Sequence, residues 1–101
     1  MERKLGIFVS TDEHLDKIIE LCKAAKAKDI EVTIFFTHLG TVLTQDQRFK
    51  ELAGLARMSL CNVCFEGHGL KPPVPGISEK DYATQARHGM LIEECDRYLS
   101  F

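Results

Sequence analysis

The chain has 101 residues, a length that suits one domain with a modest hydrophobic core. Hydrophobic residues make up 45% and charged residues 28%, and the net charge of -2 leaves no basic excess for nucleic acid. The apolar run after Lys4 ends at Ser10, which is too short for a signal peptide or a membrane span. We therefore expect a cytoplasmic domain over residues 1–101 that binds neither nucleic acid nor membrane.

Strand and helix patterns alternate along the chain. The apolar runs "KLGIFVS" (4–10) and "EVTIFFT" (31–37) predict strands that are covered on both faces. Between them, apolar residues recur at helical spacing from Leu15 to Ala25. The remaining predicted elements are a helix over 44–55, a strand over 57–63, a Pro-rich loop over 71–78, a helix over 79–93 and a strand over 96–101.

This alternation predicts the fold class α/β. We expect a single three-layer domain with a mainly parallel sheet of four to five strands and helices on both faces. The terminal "DRYLSF" is a candidate edge strand, and so small a sheet favours association into oligomers.

In a parallel sheet, ligands and chemistry gather at the carboxyl ends of the strands. His38 follows the second predicted strand, and "SLCNVCFEGHGL" (59–70) brings Cys61, Cys64 and His68 to the end of the third. We expect Cys61 to meet solvent there, where a helix starting just beyond the strand favours the thiolate.

A reducing cytosol keeps cysteines as thiols, so a disulfide framework is not expected. Three interpretations of these thiols are then open. A structural zinc site needs four ligands, and Cys61, Cys64 and His68 supply only three. A redox dithiol would use both cysteines of the C-x-x-C spacing. The third interpretation is a nucleophilic Cys61 with Cys64 as a space-filling neighbour, and it requires no metal or organic cofactor.

The order and spacing of several segments resemble the DsrE/DsrF-like sulfur-relay family. The resemblance includes "KLGIFVST", "EVTIFFTHLGTVLT" and "CDRYLSF". It also includes a cysteine at a strand end, Cys61, followed seven and eight positions later by the basic residue His68 and a glycine. The similarity extends over nearly the whole chain.

The resemblance implies a small α/β subunit in a trimer or hexamer, formed by this chain alone or with homologous subunits. It implies that Cys61 carries sulfur as a persulfide from a donor protein to an acceptor protein, as in a sulfurtransferase-type carrier. Cys64 stands where the family often has Ser or Ala, and His68 where it often has Arg. We expect Cys64, His68 and His38 to be auxiliary residues. The alternatives are a non-catalytic assembly subunit of the same fold and a Cys/His metal-binding module.

Overall fold

A computed structural model describes residues 3–101. The strands are β1 (Arg3–Val9), β2 (Ile30–Phe36), β3 (Arg57–Cys61), β4 (Tyr82–Ala83) and β5 (Arg97–Ser100), and the α-helices are α1 (Leu15–Ala27), α2 (Asn62–Gly67) and α3 (Ala86–Glu94). Short 3-10 helices span His38–Gln45, Phe49–Leu52 and Glu79–Asp81. All neighbouring strands are parallel, in the order β4-β3-β2-β1-β5. This five-stranded sheet confirms the predicted fold class.

Each face of the sheet has its own core, because successive side chains of a strand point to opposite faces. On one face, Ile7 and Ile34 belong to the large buried cluster that includes Ile18 of α1. On the other face, Phe35 of β2 forms a smaller cluster with Leu91 of α3. Helices thus cover both faces, as predicted.

The terminal strand β5 lies at one edge of the sheet, beside β1. Its end is fixed where the backbone N–H of Phe101 donates to the carbonyl of Phe8, at 2.8 Å, and that of Ser10 donates to the carbonyl of Phe101, also at 2.8 Å. The prediction of an edge strand at the end of the chain is confirmed.

The helix predicted over 44–55 is wrong. Two 3-10 helices, His38–Gln45 and Phe49–Leu52, occupy this region, and Asp46 between them has extended backbone. The first of them passes close to β1: a Cβ on Gly40 would lie 2.2 Å from the carbonyl oxygen of Val9. Phe49 and Leu52 are nevertheless buried, so the apolar pattern identified inward-facing residues correctly and the type of helix wrongly.

The predicted boundaries around β3 and α3 also shift. The third strand ends at Cys61 instead of residue 63, because α2 begins at Asn62. The predicted helix over 79–93 begins as an α-helix only at Ala86. Tyr82 and Ala83 instead form a short strand in register with Leu60 and Cys61. Pairing with β3 therefore overrides the helical pattern of this segment.

Candidate functional site

The carboxyl ends of β2 and β3 lie side by side, with Phe36 in register with Leu60. The next residue of each chain segment, Thr37 and Cys61, therefore reaches the same edge of the sheet. Thr37 is fully buried, and its backbone N–H donates to the carbonyl of Val9 at 2.8 Å. This edge is where sequence reasoning placed the candidate site.

Cys61 is only 3% exposed, so the expectation that its thiol meets solvent is wrong. It packs with Phe35 and Leu91 on the face covered by α3. Its backbone is also paired with Ala83 of β4. The strand that forms beyond the Pro-rich loop, which the sequence pattern did not predict, thus helps to enclose Cys61.

Cys64 is the more accessible sulfur of the pair. It lies in the first turn of α2, is half-buried, and its Sγ lies 3.5 Å from Oγ1 of Thr37. Burial acts to raise the pKa of the Cys64 thiol, but hydrogen bonds from the Thr37 hydroxyl, the backbone of His38 and the Cys61 thiol outweigh it and lower that pKa below its ordinary value. A thiol with a lowered pKa supplies more thiolate, the nucleophilic form.

Gln85 extends this hydrogen-bond network. Its Nε2 donates to Oγ1 of Thr37 at 2.6 Å, so the Thr37 proton is free to point at the Cys64 sulfur. Gln85 is exposed and immediately precedes α3, whereas Thr37 is buried. The chain of contacts therefore runs from the surface through Thr37 to Cys64.

The two auxiliary histidines differ in their relation to the sulfurs. His38 contributes its backbone to Cys64, and its φ of 48° places it in the left-handed region. His68 is an exposed residue at the opposite end of α2 from Cys61, where its backbone N–H donates to the carbonyl of Cys64 at 3.1 Å. We therefore assign His68 no direct electrostatic role at the thiols.

Cys61, Cys64 and His68 do not form an assembled metal site. Within residues 3–101, no group of three His, Cys, Asp or Glu side chains lies close enough together to hold a metal ion. None of the helices described has the length and apolar composition needed to cross a membrane.

The sequence analysis did not identify three polar residues at or near the site: Thr37, Gln85 and His88. Thr37 carried a usable signal, since it is the last residue of the predicted strand 31–37, but Gln85 lies 48 residues away and carried none. The ring of His88 stacks on Phe8, with 3.9 Å between centroids, and its Nε2 is hydrogen-bonded to the hydroxyl of Tyr98. The aromatic side chains packed on the Cys61 side of the sheet therefore include a polar ring.

Comparison with known proteins does not identify the family of this chain. No protein-family model matches the chain, and no curated protein matches it either.

Proposed function

We propose that this chain is a sulfur-relay protein of the DsrE-like type, in which the Cys61–Cys64 pair carries sulfane sulfur as a persulfide between protein partners. Two things support the proposal. The first is the order and spacing of segments that resemble that family. The second, which carries the chemistry, is a half-buried Cys64 thiol with three hydrogen-bonding neighbours: Thr37, His38 and Cys61.

The two sulfurs have different roles in this proposal. The resemblance puts the persulfide on Cys61, but Cys61 is buried against Phe35 and Leu91, so a visiting protein meets Cys64 first. We therefore make Cys64 the entry thiol. Cys61 donates a hydrogen bond to it and so stabilises negative charge on the attacking Cys64 thiolate.

The transfer step balances without an added oxidant or reductant. The Cys64 thiolate attacks the outer sulfur of a donor persulfide, R–S–SH. A new S–S bond forms at Cys64, the donor S–S bond breaks, and the donor leaves as the thiolate R–S⁻. An acceptor thiolate then attacks the outer sulfur on Cys64 in the same way and regenerates the Cys64 thiolate. The outer sulfur keeps its oxidation state throughout.

Two exposed apolar residues beside the thiol suit a protein partner. Val63, next to Cys64 on α2, is 74% exposed, and Leu39, next to His38, is 50% exposed. Contiguous exposed apolar side chains are typical of surfaces that dock another protein, and we propose that Val63 and Leu39 form such a surface. Donor and acceptor proteins, or homologous subunits in a trimer or hexamer, are the partners that we propose. We place this activity in the cytoplasm, where the sulfurs stay reduced.

The burial of Cys61 favours one competing function. If both sulfurs only fill space, the chain is a non-catalytic assembly subunit and the exposed Val63 and Leu39 serve association alone. This alternative predicts no sulfur uptake under native conditions. The oligomeric state does not separate the two functions, because both include association.

Sulfur labelling tests the proposal. The reduced native protein is incubated with glutathione persulfide, and its intact mass is measured after removal of the donor. We expect a gain of about 32 Da, the mass of one sulfur atom, on the peptide that contains Cys64. The Cys64→Ser variant should lose this gain.

Cys22→Ser and Cys95→Ser are the matched controls, because they remove thiols outside the site and should leave the labelling unchanged. No mass gain on the folded wild type would reject the relay function and favour the assembly subunit. Labelling that persists in Cys64→Ser and disappears in Cys61→Ser would keep the relay but reject Cys64 as the entry thiol.

A further inference from the structure

A cavity of about 270 Å³ lies on the α3 face of the sheet, away from the Cys64 thiol. It is bounded by β3, the 3-10 helix Glu79–Asp81 and α3. None of Cys61, Cys64 and Thr37 lines it, so it is distinct from the sulfur site, although Leu91 contributes both to its lining and to the cluster around Cys61. Its volume is near the lower end of the range for ligand pockets, which suits a ligand smaller than a typical drug.

Ser59 gives this cavity an unsatisfied polar group. It lies in β3, lines the cavity and is 3% exposed. Its hydroxyl oxygen has no hydrogen-bond partner anywhere in the described part of the chain. Buried hydroxyl groups are normally hydrogen-bonded, so a ligand with a polar atom at this position would satisfy Ser59.

The charges around the cavity favour an anion. Three basic residues line it (Arg57, Lys80 and Arg87), against the acidic Asp81 and Glu94. Arg87 already neutralises Asp81, with 2.9 Å between Nη1 and Oδ1. Arg87 also donates from Nη2 to the carbonyl of Lys80 at 3.3 Å, which ties α3 to the 3-10 helix. Within residues 3–101, neither Arg57 nor Lys80 forms a salt bridge, so both are available to a ligand.

Met58, Met90 and Leu91 form the apolar part of the lining, and Thr33 adds a second hydroxyl. Leu91 is buried on the α3 side, whereas Met90 beside it is 53% exposed at the mouth of the cavity. Methionine side chains adapt to irregular apolar groups, because the thioether chain is flexible and polarisable. The cavity thus combines cations, a buried hydroxyl and an adaptable apolar wall.

We propose that this cavity binds a small organic anion, a carboxylate or phosphate group attached to an apolar moiety. Arg57 and Lys80 bind the anionic group, the Ser59 hydroxyl hydrogen-bonds to it, and Met90 and Leu91 contact the apolar part. This inference does not depend on sulfur transfer, because it concerns a separate site and its test involves no cysteine.

An NMR titration of the ¹⁵N-labelled full chain tests the proposal with four probes of matched chemistry. Phenyl phosphate and benzoate carry both an anionic and an apolar part, inorganic phosphate carries only the charge, and benzyl alcohol carries only the ring. We expect the two aromatic anions to bind more tightly than either single-feature probe. The amide shifts should concentrate at 57–59, 79–81 and 87–91.

Three variants then assign the contacts. Arg57→Gln and Lys80→Gln should each weaken phenyl phosphate binding about tenfold, the effect of losing a charge-assisted contact. Ser59→Ala should weaken it about threefold. Lys17→Gln, on the exposed side of α1, is the control and should bind phenyl phosphate as the wild type does.

Thermal melting of each variant confirms that it is folded before binding is compared. Equal binding of benzyl alcohol and benzoate would overturn the proposal, since the cations would then contribute nothing. Shifts scattered over surface lysines, or unchanged affinity in the folded Arg57 and Lys80 variants, would overturn it as well.

Discussion

Cys22 and Cys64 lie in opposite surroundings within the same small fold. Cys22 lies on the buried face of α1 in the main core, is 0% exposed, and burial raises its pKa to about 11. Cys64 is half-buried at the carboxyl edge of the sheet. There, hydrogen bonds from Thr37, His38 and Cys61 outweigh the opposing effect of burial and lower its pKa. We therefore expect polar neighbours at the strand ends, as much as exposure, to determine which sulfur of this protein is reactive.

The largest expected effect is a difference in alkylation rate. At pH 7 and 25 °C, Cys64 should react with iodoacetamide at least on the order of a thousandfold faster than Cys22 in the native protein. Cys22 reacts only when α1 opens, whereas Cys64 is half-buried and its lowered pKa favours the thiolate in the folded state. Peptide mapping by mass spectrometry over a time course measures both rates.

The Cys64→Ser variant is the control for this experiment. It should lose the fast phase and leave the slow reaction of Cys22 unchanged. In denaturant the two cysteines should react at similar rates. If Cys22 were alkylated as fast as Cys64 in the native protein, the contrast between the two surroundings would be wrong.

A second prediction concerns the wall that encloses Cys61. Leu91→Ala should lower the free energy of unfolding by about 3 kcal/mol, because Leu91 is buried on the α3 face and its truncation leaves a cavity. It should also make Cys61 reactive toward iodoacetamide in the folded state. Chemical denaturation measures the first effect, and peptide mapping in native buffer measures the second.

Met90→Ala is the matched control, since Met90 neighbours Leu91 on α3 but is 53% exposed. It should change stability little and leave Cys61 protected. A folded Leu91→Ala protein in which Cys61 stays unreactive would show that other elements enclose this sulfur.

The pH dependence of stability should separate the two thiols by sign. The pKa of Cys22 is raised on folding, so its contribution is fully present below the unfolded value of about 8.5 and is lost as the pH rises toward about 11. The pKa of Cys64 is lowered, so its contribution is present above the unfolded value and is lost as the pH falls through the folded value.

Urea unfolding between pH 7 and pH 10.5 measures both contributions by difference. Relative to Cys22→Ala, the wild type should lose at most about 1.4 kcal/mol per pH unit above pH 8.5. Relative to Cys64→Ser, it should gain stability as the pH rises toward 8.5. If the stability of all three proteins changed equally with pH, neither thiol would have the pKa shift that distinguishes its surroundings.

The sequence was sufficient for the parallel sheet and for the inward-facing residues. The runs 4–10 and 31–37 have no polar alternation, and both form central strands with a neighbouring strand on each side. The segment predicted as a helix over 44–55 contains parts of two 3-10 helices, and the first of them includes a close approach of Gly40 to the carbonyl of Val9 that composition does not reveal. Local propensity cannot anticipate a long-range contact of this kind.

The candidate site was predictable in place and not in detail. Sequence reasoning brought Cys61, Cys64 and His38 to one edge of the sheet, and the structure has them there. It misjudged which sulfur is accessible, because the enclosure of Cys61 comes from β4 and Leu91, both distant in sequence. The hydrogen bond from Gln85 to Thr37 could not be anticipated for the same reason.

The weakest of these effects comes from a variant that removes a single hydrogen bond to Cys64. Thr37→Val keeps the shape of the side chain and removes the hydroxyl that contacts Cys64 at 3.5 Å. The alkylation rate of Cys64 at pH 7 should fall about fivefold, equivalent to a hydrogen bond worth about 1 kcal/mol. Gln85 is exposed, so water can replace its lost acceptor without a second penalty. Thr33→Val makes the same chemical change within β2, four residues earlier, without touching Cys64, and the alkylation rate of Cys64 in this variant should match the wild type. Equal rates in both variants would mean that the Thr37 hydroxyl does not stabilise the thiolate.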